Sequence, residues 1–114
     1  ERQLSSYEIY RLEAVILTLY NETKDGKHYL VIRQELKETE SERILLGEER
    51  MENVKTRINE LIKGFVSEED KHPVYIVFYC DKEDIYTTEF RVITDTFQKL
   101  QSSMKEVFFK VMEE

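Results

Sequence analysis

Read along the chain, apolar and polar positions divide the sequence into strand-like and helix-like stretches. Residues 14–20, Ala-Val-Ile-Leu-Thr-Leu-Tyr, are apolar and β-branched and predict a mostly buried strand. Residues 21–27 hold Asp25-Gly26, a hairpin signal because glycine takes positive φ freely, and residues 29–34 read as the returning strand. Residues 35–43 are charged and read as a loop or frayed strand end, while Ile44-Leu45-Leu46 before Gly47 predicts a short strand. Met51, Val54, Ile58, Leu61, Ile62 and Phe65 then form the apolar stripe of a helix. Glu48 and Glu49 suit its positive end.

Pro73 introduces residues 74–80, seven consecutive apolar or aromatic positions expected of a central strand covered on both faces. Residues 81–86 form a loop, and Thr87 or Thr88 can cap a second helix bearing Phe90, Ile93, Phe97, Leu100 and Met104. Residues 107–112 close the chain as a strand parallel to the central one. The expected fold is α+β: a mixed sheet with two helices on one face, in the order β-β-(short β)-α-β-α-β. Residues 1–12 form a polar lead-in in which Tyr7, Ile9 and Leu12 fit a short strand or one helical turn alike; residues 13–114 form a single domain.

Composition narrows the class. The 114 residues carry 24 acids against 17 bases, a net charge of -7, which opposes generic nucleic-acid binding. Residues 38–70 hold ten acids and five bases, so most of that charge surrounds the first helix. One cysteine excludes an intrachain disulfide framework, and two histidines with that cysteine leave a structural zinc site short of ligands. No run approaches the ~20 apolar residues of a membrane span.

Candidate chemistry is sparse. Cys80 ends the central strand, where α/β sheets often place active groups. A thiol nucleophile needs a base, and only His28 and His72 exist. His72 lies at the other end of that strand, ~26 Å away, so Cys80 reads as structural. Asp81, Glu83 and Asp84 are spaced loosely like calcium ligands but lack the glycine and distal glutamate of an EF-hand loop, and a solvated loop is the simpler reading. Phosphate-binding, zinc-protease and nucleophile-elbow motifs are absent. Asn21-Glu22-Thr23 matches a glycosylation acceptor, meaningful only in a secreted eukaryotic chain. No catalytic residue, metal or cofactor is expected. The seven tyrosines suit either strand packing or an interface.

Pro73-Val74, Asp81, Tyr86, Val92-Ile93, Asp95 and Val107, following the Asp25-Gly26 hairpin and Ile44-Leu45-Leu46-Gly47-Glu48, resemble in order the extracytoplasmic domain of the ExbD/TolR biopolymer-transport family. The Asp81-to-Tyr86 spacing matches; the strand between Pro73 and Asp81 is longer than in the family, and the glycine after the second helix is missing, as in a remote member. The resemblance implies a non-catalytic periplasmic binding and force-coupling module at the bacterial inner membrane, part of a motor driven by proton-motive force. It implies a membrane anchor before Glu1, an ExbB/TolQ-like multispan partner and a homodimer, with an envelope protein or peptidoglycan as further partner. The family's protonatable Asp lies in the anchor, so no proton carrier transfers to this chain. The candidate contact edges are Tyr7, Ile9 and Tyr10 at one end and Val107, Phe109 and Val111 at the other. The alternative is an unrelated α+β protein-interaction domain, cytoplasmic if the resemblance fails.

Overall fold

The computed structural model describes residues 7–66, 72–103 and 106–114. Met104 and the acidic Glu68, Glu69 and Asp70 lie outside the described residues. The fold is α+β, as expected. Strands β1 (Glu8–Leu12), β2 (Val15–Lys24), β3 (Lys27–Leu36), β4 (Val74–Cys80) and β5 (Val107–Glu113) form one sheet in chain order. β2 pairs antiparallel with both β1 and β3, and β3, β4 and β5 are mutually parallel. Helices α1 (Glu40–Leu45) and α2 (Glu48–Phe65) connect β3 to β4. A short 3-10 helix (Lys82–Tyr86) and α3 (Thr88–Ser102) connect β4 to β5.

Strand periodicity places Leu17 of β2, Ile32 of β3 and Phe78 of β4 on one sheet face. That face packs against Val54, Ile58 and Ile62 of α2 and Ile93 and Phe97 of α3 in a single buried cluster. The apolar stripes at helical spacing are thus the core, as their period requires. Phe97 lies 4.5 Å, centroid to centroid, from Phe109 of β5. Between the helices, the Thr96 hydroxyl sits against Asn59 Oδ1 and the Val92 carbonyl.

Several boundaries differ from the sequence reading, each for a local reason. The hairpin turn shrinks to Asp25-Gly26, both at positive φ (54° and 76°), the geometry of a type I′ turn whose twist matches its strands. Strand pairing therefore extends from Asn21 to Lys24 on one side and back to Lys27 on the other. Residues 8–12 of the lead-in are a true edge strand, with Leu12 opposite Val15.

The expected short strand at Ile44-Leu45-Leu46 is a correction: Ile44 and Leu45 end α1, and Leu46 is its C-cap. Thr39 accepts a hydrogen bond from the Glu42 backbone N–H, and the Glu42 carboxylate accepts one from the Thr39 N–H. This capping box satisfies helix donors that a strand would leave to a neighbour. The apolar side chains gain little here, since Ile44 and Leu45 are 62% and 85% exposed. Among the described side chains of α1 the buried one is Arg43, whose Nη1 lies 2.7 Å from Glu89 Oε2 at the start of α3.

Arg43 and Glu89 are each 2% exposed, so removing one partner strands a charge in the interior. Glu89→Ala is expected to lower the unfolding free energy by ~3–5 kcal/mol in urea titration, whereas Asp95→Ala, which removes an exposed i,i+4 pair with Lys99, costs under ~1 kcal/mol. Equal losses at the two positions would contradict a structural role for the buried pair.

Candidate functional site

Two surfaces emerge. The first is the sheet face opposite the helices. Ladder parity puts Thr18 and Tyr20 of β2, Tyr29, Val31 and Arg33 of β3, Tyr75, Val77 and Tyr79 of β4, and Phe108 and Met112 of β5 on this side. None of the described helices packs there, and the side chains cover the sheet by stacking on one another. Tyr75 stacks on Phe108 at 5.2 Å, Tyr29 lies 5.6 Å from Tyr75, and Tyr7 lies 4.9 Å from Tyr20. The Arg33 guanidinium rests over Tyr79 at 4.3 Å, its Nε donates to the Tyr20 hydroxyl at 3.0 Å, and it pairs with Glu114. The planar cation thus bridges two aromatic columns. The expectation that the central strand is covered on both faces is corrected accordingly: residues 74–80 alternate buried and half-buried. The tyrosines supply the apolar character that the sequence shows as a continuous run.

The two sheet edges are β1 and β5. Of the six candidate edge residues, Tyr7 and Ile9 expose their side chains. Tyr10 packs against the core, and its hydroxyl donates to Glu8 Oε2. Val107, Phe109 and Val111 also turn inward to the core cluster. Pairing at β5 is therefore open to the main chain, while its outward apolar side chain is Phe108, 51% exposed. Alternation along β5 explains the difference, because a strand edge and a strand face are perpendicular.

The second surface is a cleft of about 720 Å³ at the C-terminal ends of β3 and β4. Glu35 and Glu38 follow from β3, Glu42 comes from α1, and Asp81, Glu83 and Asp84 come from the turn after β4; Lys37 is the lone basic residue among them. Chain topology brings together carboxylates from residues 35–42 and from residues 81–84, two segments that α2 and β4 separate in the sequence.

Behind the cleft wall lies a polar core. Thr87 N-caps α3: its hydroxyl donates to the Asp84 carbonyl at 2.7 Å and accepts from the Phe90 N–H at 3.2 Å. Gln34 Nε2 donates to the same hydroxyl at 3.4 Å. Asp84 is 4% exposed, and its Oδ2 has no hydrogen-bond partner among the described residues. Burial, reinforced by Asp81 and Glu83, pushes the Asp84 carboxyl above the usual carboxylate range; Arg43 and a backbone hydrogen bond at Asp81 oppose that rise. The solvated-loop reading of this segment therefore holds for Asp81 and Glu83, which are exposed, and fails for Asp84.

Cys80 is buried at the end of β4. Burial first, then the negative charges of Asp84, Glu113 and Asp81, push its thiol up to about 11. His28 is at the hairpin, its Nδ1 3.0 Å from Thr23 Oγ1, and exposed His72 stands at the opposite end of β4. Neither histidine is brought to the thiol. Of the family-like positions, Pro73, Asp81, Tyr86 and Asp95 are all exposed, and Asp95 pairs with Lys99 at 2.9 Å. Arg33, Arg43, Gln34 and Glu89 carry structural roles that apolar periodicity does not reveal. The Thr39-x-x-Glu42 spacing is the one readable sign that a helix places Arg43.

Two outcomes follow from these shifts. Cys80 is expected to resist alkylation at pH 8 in the native protein and to react on unfolding, because the thiolate is scarce and shielded; rapid native labelling, followed by mass spectrometry, would contradict this. For Asp84, a folded pKa above the unfolded one favours the neutral acid, so its stabilising contribution is present at low pH and lost as pH rises through the folded value. Asp84→Asn should therefore raise Tm relative to wild type at pH 7. The gain should vanish below about pH 4, near the unfolded carboxyl pKa. A lower Tm at pH 7 is the contrary result. No family model, curated protein or solved structure matches this chain.

Proposed function

We propose that this domain is a non-catalytic binding and force-coupling module, working as the periplasmic part of a cell-envelope motor resembling ExbD/TolR. The observation that carries the binding role is the sheet itself: among the described residues, two strand edges without a pairing strand flank a face rich in tyrosine that no helix covers. Unpaired main-chain donors and acceptors recruit further strands, and tyrosine joins apolar area to a polar tip at low entropic cost. A five-stranded sheet braced by two long helices also resists load between its ends. Support for the motor context comes from the order of motif residues, from Asp25-Gly26 to Val107. In this reading the domain pairs with a second copy through β1, and a membrane anchor joins it to an ExbB/TolQ-like partner.

The aromatic face favours a second reading, an unrelated protein-interaction domain that binds through Tyr20, Tyr29, Tyr75 and Tyr79. Fractionation of cells expressing the full-length gene product separates the two. The motor reading expects the chain in the inner-membrane fraction, co-purifying in mild detergent with a multispan membrane protein. A full-length chain recovered in the soluble fraction, without an apolar helix in its sequence, overturns that reading and leaves the interaction domain. For the edge, Ile9→Lys is expected to convert a dimer to a monomer in light scattering; a monomeric parent domain contradicts pairing through β1.

A further inference from the structure

The acidic cleft lies at the C-terminal ends of β3 and β4, where Ile16 and Glu35 on its rim share the open sheet face, and the binding reading above makes no use of its carboxylates. We infer that this cleft is a docking site for a basic polypeptide segment, one that presents arginine or lysine side chains to the ends of β3 and β4.

Charge complementarity is the first support. Six carboxylates from β3, α1 and the turn after β4 meet one lysine around a cavity of about 720 Å³. That size accommodates several side chains rather than a single ion.

The second support is independent of the surface count. Asp84 lines the cleft, is almost fully buried, and leaves Oδ2 without a hydrogen-bond donor among the described residues. An unpaired buried carboxylate oxygen is costly, and a guanidinium or ammonium donor delivered through the cleft removes that cost. Arg43 lies near enough to act on Asp84 by charge, yet no hydrogen bond reaches Oδ2 from any described residue.

The arrangement also selects among cations. Among the described residues, no three carboxylate, histidine or cysteine groups converge closely enough to hold a metal ion. Glu42 is further committed to the Thr39 capping box. Acidic groups spread along a cleft, with one deep acceptor, match an extended chain carrying several positive charges better than one compact ion.

The test is binding of a fluorescent oligo-arginine peptide to the intact domain, read by anisotropy at ~20 mM and ~200 mM NaCl. Saturable binding that weakens with salt is expected. A triple variant of exposed and half-buried cleft residues, Glu35→Gln, Glu38→Gln and Glu83→Gln, should weaken it about tenfold. Neutralising Glu49, Glu52 and Glu60 on α2 makes the same change in net charge outside the cleft and should alter affinity by no more than about twofold. In parallel, the carboxyl carbon resonance of Asp84 should shift toward its ionised position as peptide is added. The inference is overturned by an absence of binding at low salt, by equal weakening from the two triple variants, or by an unmoved Asp84 resonance. Each result is independent of where the full-length chain fractionates, so failure here is distinguishable from failure of the motor reading.

Discussion

The structure depends on one-sided burial of its sheet. Two long amphipathic helices suffice to cover one face of five strands, and that face holds the core in which Leu17, Ile32, Ile58, Phe78 and Phe97 meet. Everything on the other face must satisfy two conditions at once: enough apolar area to hold the strands together, and enough polarity to meet water. Tyrosine and arginine do both. Their stacked rings cover the sheet, while the Arg33 guanidinium satisfies the Tyr20 hydroxyl and pairs with Glu114. Val31, on that face, is 1% exposed with none of the described helices above it, which measures how completely the side chains around it close over the sheet.

The same economy explains the polar core at the ends of β3 and β4. Helix α1 is too short and too exposed in its apolar residues to dock by hydrophobic burial. It is held by a capping box at its start and by the Arg43–Glu89 ion pair beneath it. Thr87 joins the turn after β4 to α3, with Gln34 of β3 at its hydroxyl. A buried ion pair contributes little net stability over an apolar substitute, but it fixes position, because each charge tolerates only the geometry that pairs it. Here it holds α1 beside the acidic turn, and that placement shapes the cleft.

How much was legible follows the range of each interaction. Asp25-Gly26 marks the hairpin because positive φ is a property of one or two residues. The stripes from Met51 to Phe65 and from Phe90 to Leu100 mark helices because 3.6-residue periodicity is carried by near neighbours. Ile44-Leu45-Leu46 misleads because three apolar residues in a row carry no period, and the capping chemistry five residues upstream decides the outcome. The tyrosines of residues 74–80 mislead about burial for a related reason. Amphipathic rings look the same in a run whether the second face of the strand meets a helix or solvent.

The sequence by itself therefore determined the α+β class, the turn, the two long helices and the parallel strand pair that closes the chain, since each rests on local geometry. Tertiary structure alone decided which face stays open, which edge residues turn inward, and which carboxylate is buried. Those outcomes depend on ladder register and on charges from distant segments. Asp84 is indistinguishable in sequence from Asp81; only the packing of α3 and β3 against its turn removes one from water and leaves the other solvated.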